Sequence, residues 1–230
     1  MKLLRVTSPE TLVELINQVG FLPFFQNEIE GFSLEDCIAR EYWFPEQGEG
    51  AWEWKGTVIR KADCAYGKFF RGKAGFISRE WFPDFANYRR DGYDFDALYD
   101  DGLAKHTDKQ VFELIEKNHS ILSRDLKRQG NFKKGGNKGF DSIITRLQMQ
   151  GYVVISDFEY QKDKFGNSYG WGVARYELPE YRFGETFSKL VYQREMESSL
   201  EKIRQHLNKT FSPDETENIE KMIRKGAVKE

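Results

Sequence analysis

The sequence predicts an α+β protein organised around a winged helix-turn-helix, with an aromatic-rich α+β half before it and two helices after it. Three observations carry this expectation. Helical apolar spacing recurs three times between residues 105 and 150, two β-branched and aromatic segments follow at 152–160 and 169–178, and glycines sit where the connecting turns must be sharp. The boundaries expected from these patterns are residues 1–104 for the aromatic half, 105–180 for the winged helix-turn-helix and 181–230 for the helical tail.

The first element is a helix over SPETLVELINQV, with Ser8 as N-cap, Pro9 in the first turn and Leu12, Ile16 and Val19 on one face. A short capped helix follows from Ser33. AWEWKGTVI, CAYGKFF and KAGFIS read as strands, the last two joined across Arg71 and Gly72 as a hairpin. REWFPDFANYRR reads as a helix with Pro83 in its first turn. The five aspartates of DGYDFDALYDD mark a loop between the halves, and a second, degenerate winged helix is one form the aromatic half can take. No internal repeat is visible.

In the central unit, TDKQVFELIEKNH is helix one, capped by Thr107, and ILSRDLKRQ is helix two, with Leu122 and Leu126 one turn apart. NFKKGGNKG is the turn. GFDSIITRLQMQG then sets Phe140, Ile143, Ile144 and Leu147 on one stripe, which at about 100° per residue turns Lys138, Ser142, Thr145 and Met149 outward. YVVISDFEY and YGWGVARYEL form the wing, with Gly166 and Asn167 in its turn, Lys162 and Lys164 near the tip, and Tyr152, Phe158 and Trp171 packing it onto the helices. In the tail, residues 185–207 and 212–225 read as two helices, and their apolar stripes can serve a homodimer or fold back.

Charge points the same way. The formal net charge is −2, yet residues 121–150 hold seven basic side chains against Asp125 and Asp141. The expected partner is therefore double-stranded DNA: Lys138, Ser142, Thr145 and Met149 form the base-facing side, Lys133, Lys134 and Arg146 meet phosphates, and Lys162 and Lys164 contact a neighbouring phosphate or the minor groove. No apolar run is long enough for a membrane span and the start lacks a signal peptide, so a cytoplasmic protein with free thiols at Cys37 and Cys64 is expected. No metal or cofactor is implied: the aspartates lack the pattern of a calcium loop and Gly67, Gly72 and Gly75 are not a phosphate loop. Asp84, Glu80 and Glu53, set among tryptophans and Phe82, are carboxylates whose burial would suit acid or base work, though packing of the rings alone gives the same pattern.

The segments LSRDLKRQGNFKKGGNKG and FDSIITRLQMQGYVVISDFEY resemble the winged-helix region of AlkZ-related proteins, a group named for its similarity to the AlkZ and YcaQ DNA glycosylases. Residues 66–104 resemble its N-terminal half, so the likeness spans most of residues 10–180. It implies tandem winged helices and, in the true glycosylases, hydrolysis of the N-glycosidic bond of alkylated or crosslinked bases, for which a side chain must hold a water. The glycosylases carry a Gln, apolar, Gln or Asp triplet, matched here by Gln148, Met149 and Gln150. On a helix, Gln148 and Gln150 point about 200° apart and cannot share one water, so solvated flanks at the helix end are the alternative. Three functions follow in order: a non-enzymatic DNA-binding protein, regulatory or repair-associated; a DNA glycosylase; and a scaffold for protein partners.

Overall fold

The computed structural model describes residues 3–46, 48–61, 64–166 and 168–224, without the side chains of Ser168, Tyr169 and Trp171. Asn167 and the Trp171 ring, expected in the wing, lie outside the described residues. Helix α1 (Pro9–Val19) begins as predicted, with the Thr11 amide donating to Ser8 Oγ and Leu12, Ile16 and Val19 buried. It is followed by β1 (Phe21–Pro23), α2 (Leu34–Cys37), α3 (Arg40–Trp43) and α4 (Ala51–Arg60). AWEWKGTVI is thus a helix, not a strand. Glu53 accepts from the Gly50 amide at 3.0 Å to fix its first turn, and the buried Ala51, Trp54, Lys55, Val58 and Ile59 follow helical spacing that the paired tryptophans disguised as alternation.

Strands β2 (Cys64–Phe70) and β3 (Lys73–Ser78) form the predicted hairpin, and α5 (Phe82–Arg90) carries Pro83 in its first turn. The acidic stretch is not all loop: Asp94 accepts from the Ala97 amide and starts α6 (Phe95–Asp100). Next come α7 (His106–Asn118), β4 (Ser120–Leu122), α8 (Ser123–Gln129), α9 (Phe140–Met149), β5 (Val154–Lys162) and β6 (Ser168–Glu177). Helix α7 starts ahead of the expected Thr107 cap, with Lys105 in the N-cap place. Ile121 and Leu122 belong to a strand, because β6 offers them an edge to pair with.

Both halves use one order of elements. Helix, short strand, helix, helix and hairpin follow one another twice, with α3 as an extra turn in the first set, and the antiparallel sheets are ordered β1–β3–β2 and β4–β6–β5. Sequence comparison within the chain misses this because topology depends on periodicity and turns, not on residue identity. The two sets also pack reciprocally: α9 lies on β2, α4 lies on β5, and β2 meets β5. Arg60 of α4 pairs with Asp157 of β5 at 3.0 Å, and the Tyr66 and Phe158 rings meet edge-on. One apolar core therefore runs from Phe24 and Phe76 through Tyr66 to Leu147 and Ile115 without a break at residue 104.

The tail is built from α10 (Pro179–Phe183), α11 (Glu185–Tyr192), α12 (Met196–Leu207) and α13 (Pro213–Ile223). The expected long helix breaks between Tyr192 and Met196, and Asn87 of α5 donates to the freed carbonyls of Val191 and Arg194. Phe187, Val191, Ile203, Leu207 and Ile219 are buried in a second core with Phe69, Phe82 and Phe85, so these apolar stripes fold back onto their own chain.

Lys55 makes a testable consequence of the seam. Only 3% exposed, its ammonium donates to the Trp52 carbonyl at 2.5 Å and lies over the Trp52 and Phe158 rings, and burial lowers its pKa to about 8, opposed weakly by Glu53. Between pH 8 and 10 the unfolded chain then holds a proton there that the folded chain has released, so stability contributed by this site rises with pH. Urea titrations should show wild type gaining about 2 kcal/mol relative to Lys55→Met between about pH 7.5 and 9.5. A constant difference would place the ammonium in contact with solvent.

Candidate nucleic-acid interface

The predicted stripe of α9 is inward: Phe140, Ile143, Ile144 and Leu147 are all buried. The turn before it, residues 130–139, is fixed rather than loose. Asn137 donates to the Gly130 carbonyl at 2.8 Å, Phe132 packs edge-on against Phe140, and Gly136 lies so close to the Asn131 carbonyl that a side chain would collide. This rigid turn presents Lys133, Lys134 and Lys138 as exposed side chains.

Ion pairing sorts the basic excess into two classes. Arg124 is held by Glu159 at 2.7 Å, Lys127 by Asp141 at 3.5 Å, Arg128 by Asp125 at 2.9 Å and Arg146 by Asp108. Among the described residues, Lys133, Lys134 and Lys138 have no such partner. In the β5–β6 hairpin, Lys162 and Lys164 are likewise exposed and have no ion pair, with a turn closed by the Gly166 amide on the Asp163 carbonyl at 3.0 Å. The five lysines without an ion pair thus lie in the turn before α9 and in the β5–β6 hairpin.

Helix α9 does not offer its whole outer side. Ser142 is exposed, but Thr145 and Arg146 are half-buried and Met149 is buried, because the turn of the β2–β3 hairpin crosses the helix there. Gly72, at φ 78°, faces the Thr145 methyl, and Lys68 Nζ donates to Thr145 Oγ1 at 3.1 Å. Beside this crossing is a cavity of about 400 Å3 lined by Lys68, Asp141, Ser142, Thr145, Arg146 and Met149. Lys68 has no signature in the sequence; only the meeting of the halves brings it to α9. Arg146 is turned toward α7, where its Nε and Nη2 donate to the two oxygens of Asp108 at 2.6 and 2.5 Å.

The glutamine triplet is split. Helix α9 ends at Met149, Gln150 is half-buried, and Gln148 is wholly buried rather than a solvated flank. Gln148 Oε1 accepts from the Lys68 amide at 3.1 Å and Nε2 donates to the Ile144 carbonyl at 2.9 Å, so both ends of the amide are engaged. Gln148→Ala should cost about 1–3 kcal/mol, by stranding the Lys68 amide at the seam, and thermal melting would read it. An unchanged midpoint would mean that water replaces the amide.

Of the candidate carboxylates Glu80 is exposed, while others are tied. Arg194 and Ser199 hold Asp84, Lys109 pairs with Asp96, and Asp101 accepts from Tyr93. Cys37 and Cys64 are buried and are not joined in a disulfide, and no group of three or more His, Cys, Asp or Glu that could hold a metal ion occurs among the described residues. No helix among them is long and apolar enough to cross a membrane.

No curated protein and no solved structure matches the chain. A family model described as AlkZ related matches residues 6–224, which takes in both halves and the tail. The chain belongs to the AlkZ-related family.

Proposed function

We propose that residues 106–177 are a winged helix-turn-helix that binds double-stranded DNA, and that the protein serves DNA repair or its regulation without cleaving the glycosidic bond itself. The observation that carries this is the set of lysines with no ion-pair partner among the described residues: Lys133, Lys134 and Lys138 ahead of α9, with Lys162 and Lys164 on the hairpin beyond it. The order α7, β4, α8, α9, β5–β6, with β6 central in its sheet, is the order expected of a winged helix.

Groove reading in this proposal is narrower than the sequence suggests. Lys138 and Ser142 can reach base edges, whereas Thr145 lies under the β2–β3 turn and Arg146 serves Asp108. The N-terminal part of a recognition helix is the part that usually enters the major groove, so crossing its far end leaves docking intact. The described part of the N-terminal half acts as the brace, and α11 and α12 as a clasp around α5. A homodimer is not needed for this reading, since the apolar stripes of the tail face inward. Non-enzymatic action is supported by Gln148, which is wholly buried with its amide turned to the Lys68 amide and the Ile144 carbonyl rather than to an open surface where a sugar could dock.

A fluorescent duplex titrated with the protein from about 50 to about 200 mM salt should show affinity falling linearly on logarithmic axes. No binding at the lowest salt removes the DNA reading and leaves the protein scaffold. Incubation with alkylated or crosslinked duplex should yield no abasic sites; their formation would establish the glycosylase instead.

A further inference from the structure

We propose that a groove between the first turn of α5 and the outer side of α12 is a second anion site, built for the phosphate ester of a nucleotide, free or within a DNA strand. The groove encloses about 430 Å3, and Arg79, Trp81, Arg194, Lys202, His206 and Lys209 are among its walls. It lies where the N-terminal half meets the tail, remote in sequence from the lysines of residues 133–164.

The charge in this groove is uncompensated. Arg79, Lys202 and Lys209 are exposed, and their side chains have neither a hydrogen bond nor an ion pair among the described residues. Arg194 donates to Asp84 Oδ1 at 2.6 Å, and Ser199 donates to the same oxygen at 2.9 Å, so that pair is neutral within itself. Glu80 alone faces the other three cations. A local excess of two positive charges in a chain of net charge −2 concentrates potential in a concave wall, where it attracts a small anion far better than on a flat surface.

The remaining walls select the kind of anion. Lys202 is on α12 and Lys209 lies just past its C-terminal end, and both line the groove, so two ammonium groups border the same space. Between them the His206 ring is stacked on Trp81 at 4.3 Å and fixed by its Nε2 on the Val19 carbonyl at 3.0 Å, which leaves Nδ1 as the unengaged ring atom. Trp81, Pro83 and Leu190 give the groove an apolar side for a sugar or base. A carboxylate ligand would match the charge but would leave that side empty.

The test uses the full chain and a double variant, Lys202→Glu with Lys209→Glu, whose side chains have no partner to lose. Calorimetric titration with inorganic pyrophosphate and with deoxyadenosine monophosphate reads the free-ligand source. Duplex binding over a salt series reads the strand source, and only this arm rests on the DNA reading above. If the ligand is free, both small anions should bind the native chain at one site and bind the variant at least tenfold more weakly. If it is a strand, duplex affinity should drop at least tenfold, with the logarithmic salt slope falling by about 2. A variant with native melting that equals the native chain in both arms overturns the proposal. So does a pyrophosphate isotherm that survives the double variant and Arg79→Gln alike. A chain that binds pyrophosphate here but no duplex at any salt would refute the DNA reading alone.

Discussion

Exchanging Lys133 and Lys134 for glutamate should weaken duplex binding by roughly two orders of magnitude at low salt and flatten the logarithmic salt dependence by about 2, one counterion per lost phosphate contact. These two lysines qualify because no acidic side chain among the described residues pairs with them. Lys127, equally basic and close in sequence, pairs with Asp141 at 3.5 Å, so Lys127→Glu should cost clearly less. The loss at Lys133 and Lys134 should be the same for unrelated duplex sequences, because phosphate contacts carry no base information. Anisotropy titrations over several duplexes check all three statements. Native affinity in the double variant would move the interface away from α9 altogether.

A larger stability effect is expected at Arg146. Asp108 is only 2% exposed, and Arg146→Leu would leave its carboxylate buried with its bidentate partner gone, a loss of about 3–5 kcal/mol. In a chain of this size that lowers the melting temperature by about 10 °C. Replacing both residues, Arg146→Leu with Asp108→Leu, should recover most of the loss, since a packed apolar pair substitutes well for a buried ion pair. Thermal melts of the two single variants and the double variant close the cycle. A single Arg146 variant with native melting but weak DNA binding would return this side chain to the phosphate set.

How far the sequence speaks depends on where the information lies. The inward stripe of α9, the caps of α1 and α2, the β2–β3 hairpin and the turn at 130–139 are local features, legible from spacing and glycines. Strand β4 is three residues long and exists because β6 is there to pair with it, so no local pattern marks it. Helix α4 was hidden by Trp52 and Trp54, whose size suggests alternation while the smaller Ala51, Val58 and Ile59 set the true period. The candidate interface divides the same way. Lys133, Lys134 and Lys138 follow from composition, but Thr145 and Arg146 lose their freedom to residues 77 and 38 positions away. Lys68 and Gln148 acquire their places through that crossing.

The mutual embrace of the halves, α9 on β2 and α4 on β5, also governs how the molecule can come apart. Neither half presents a finished exterior by itself: cutting at residue 104 would bare Tyr66 and Phe158 together and strand Arg60 from Asp157. Heat or denaturant should accordingly dismantle both in one step. Separately expressed fragments should be sticky alone and soluble as a reconstituted pair. Evolution is thereby constrained as well, because a change in either hairpin is felt by the helix of its opposite number.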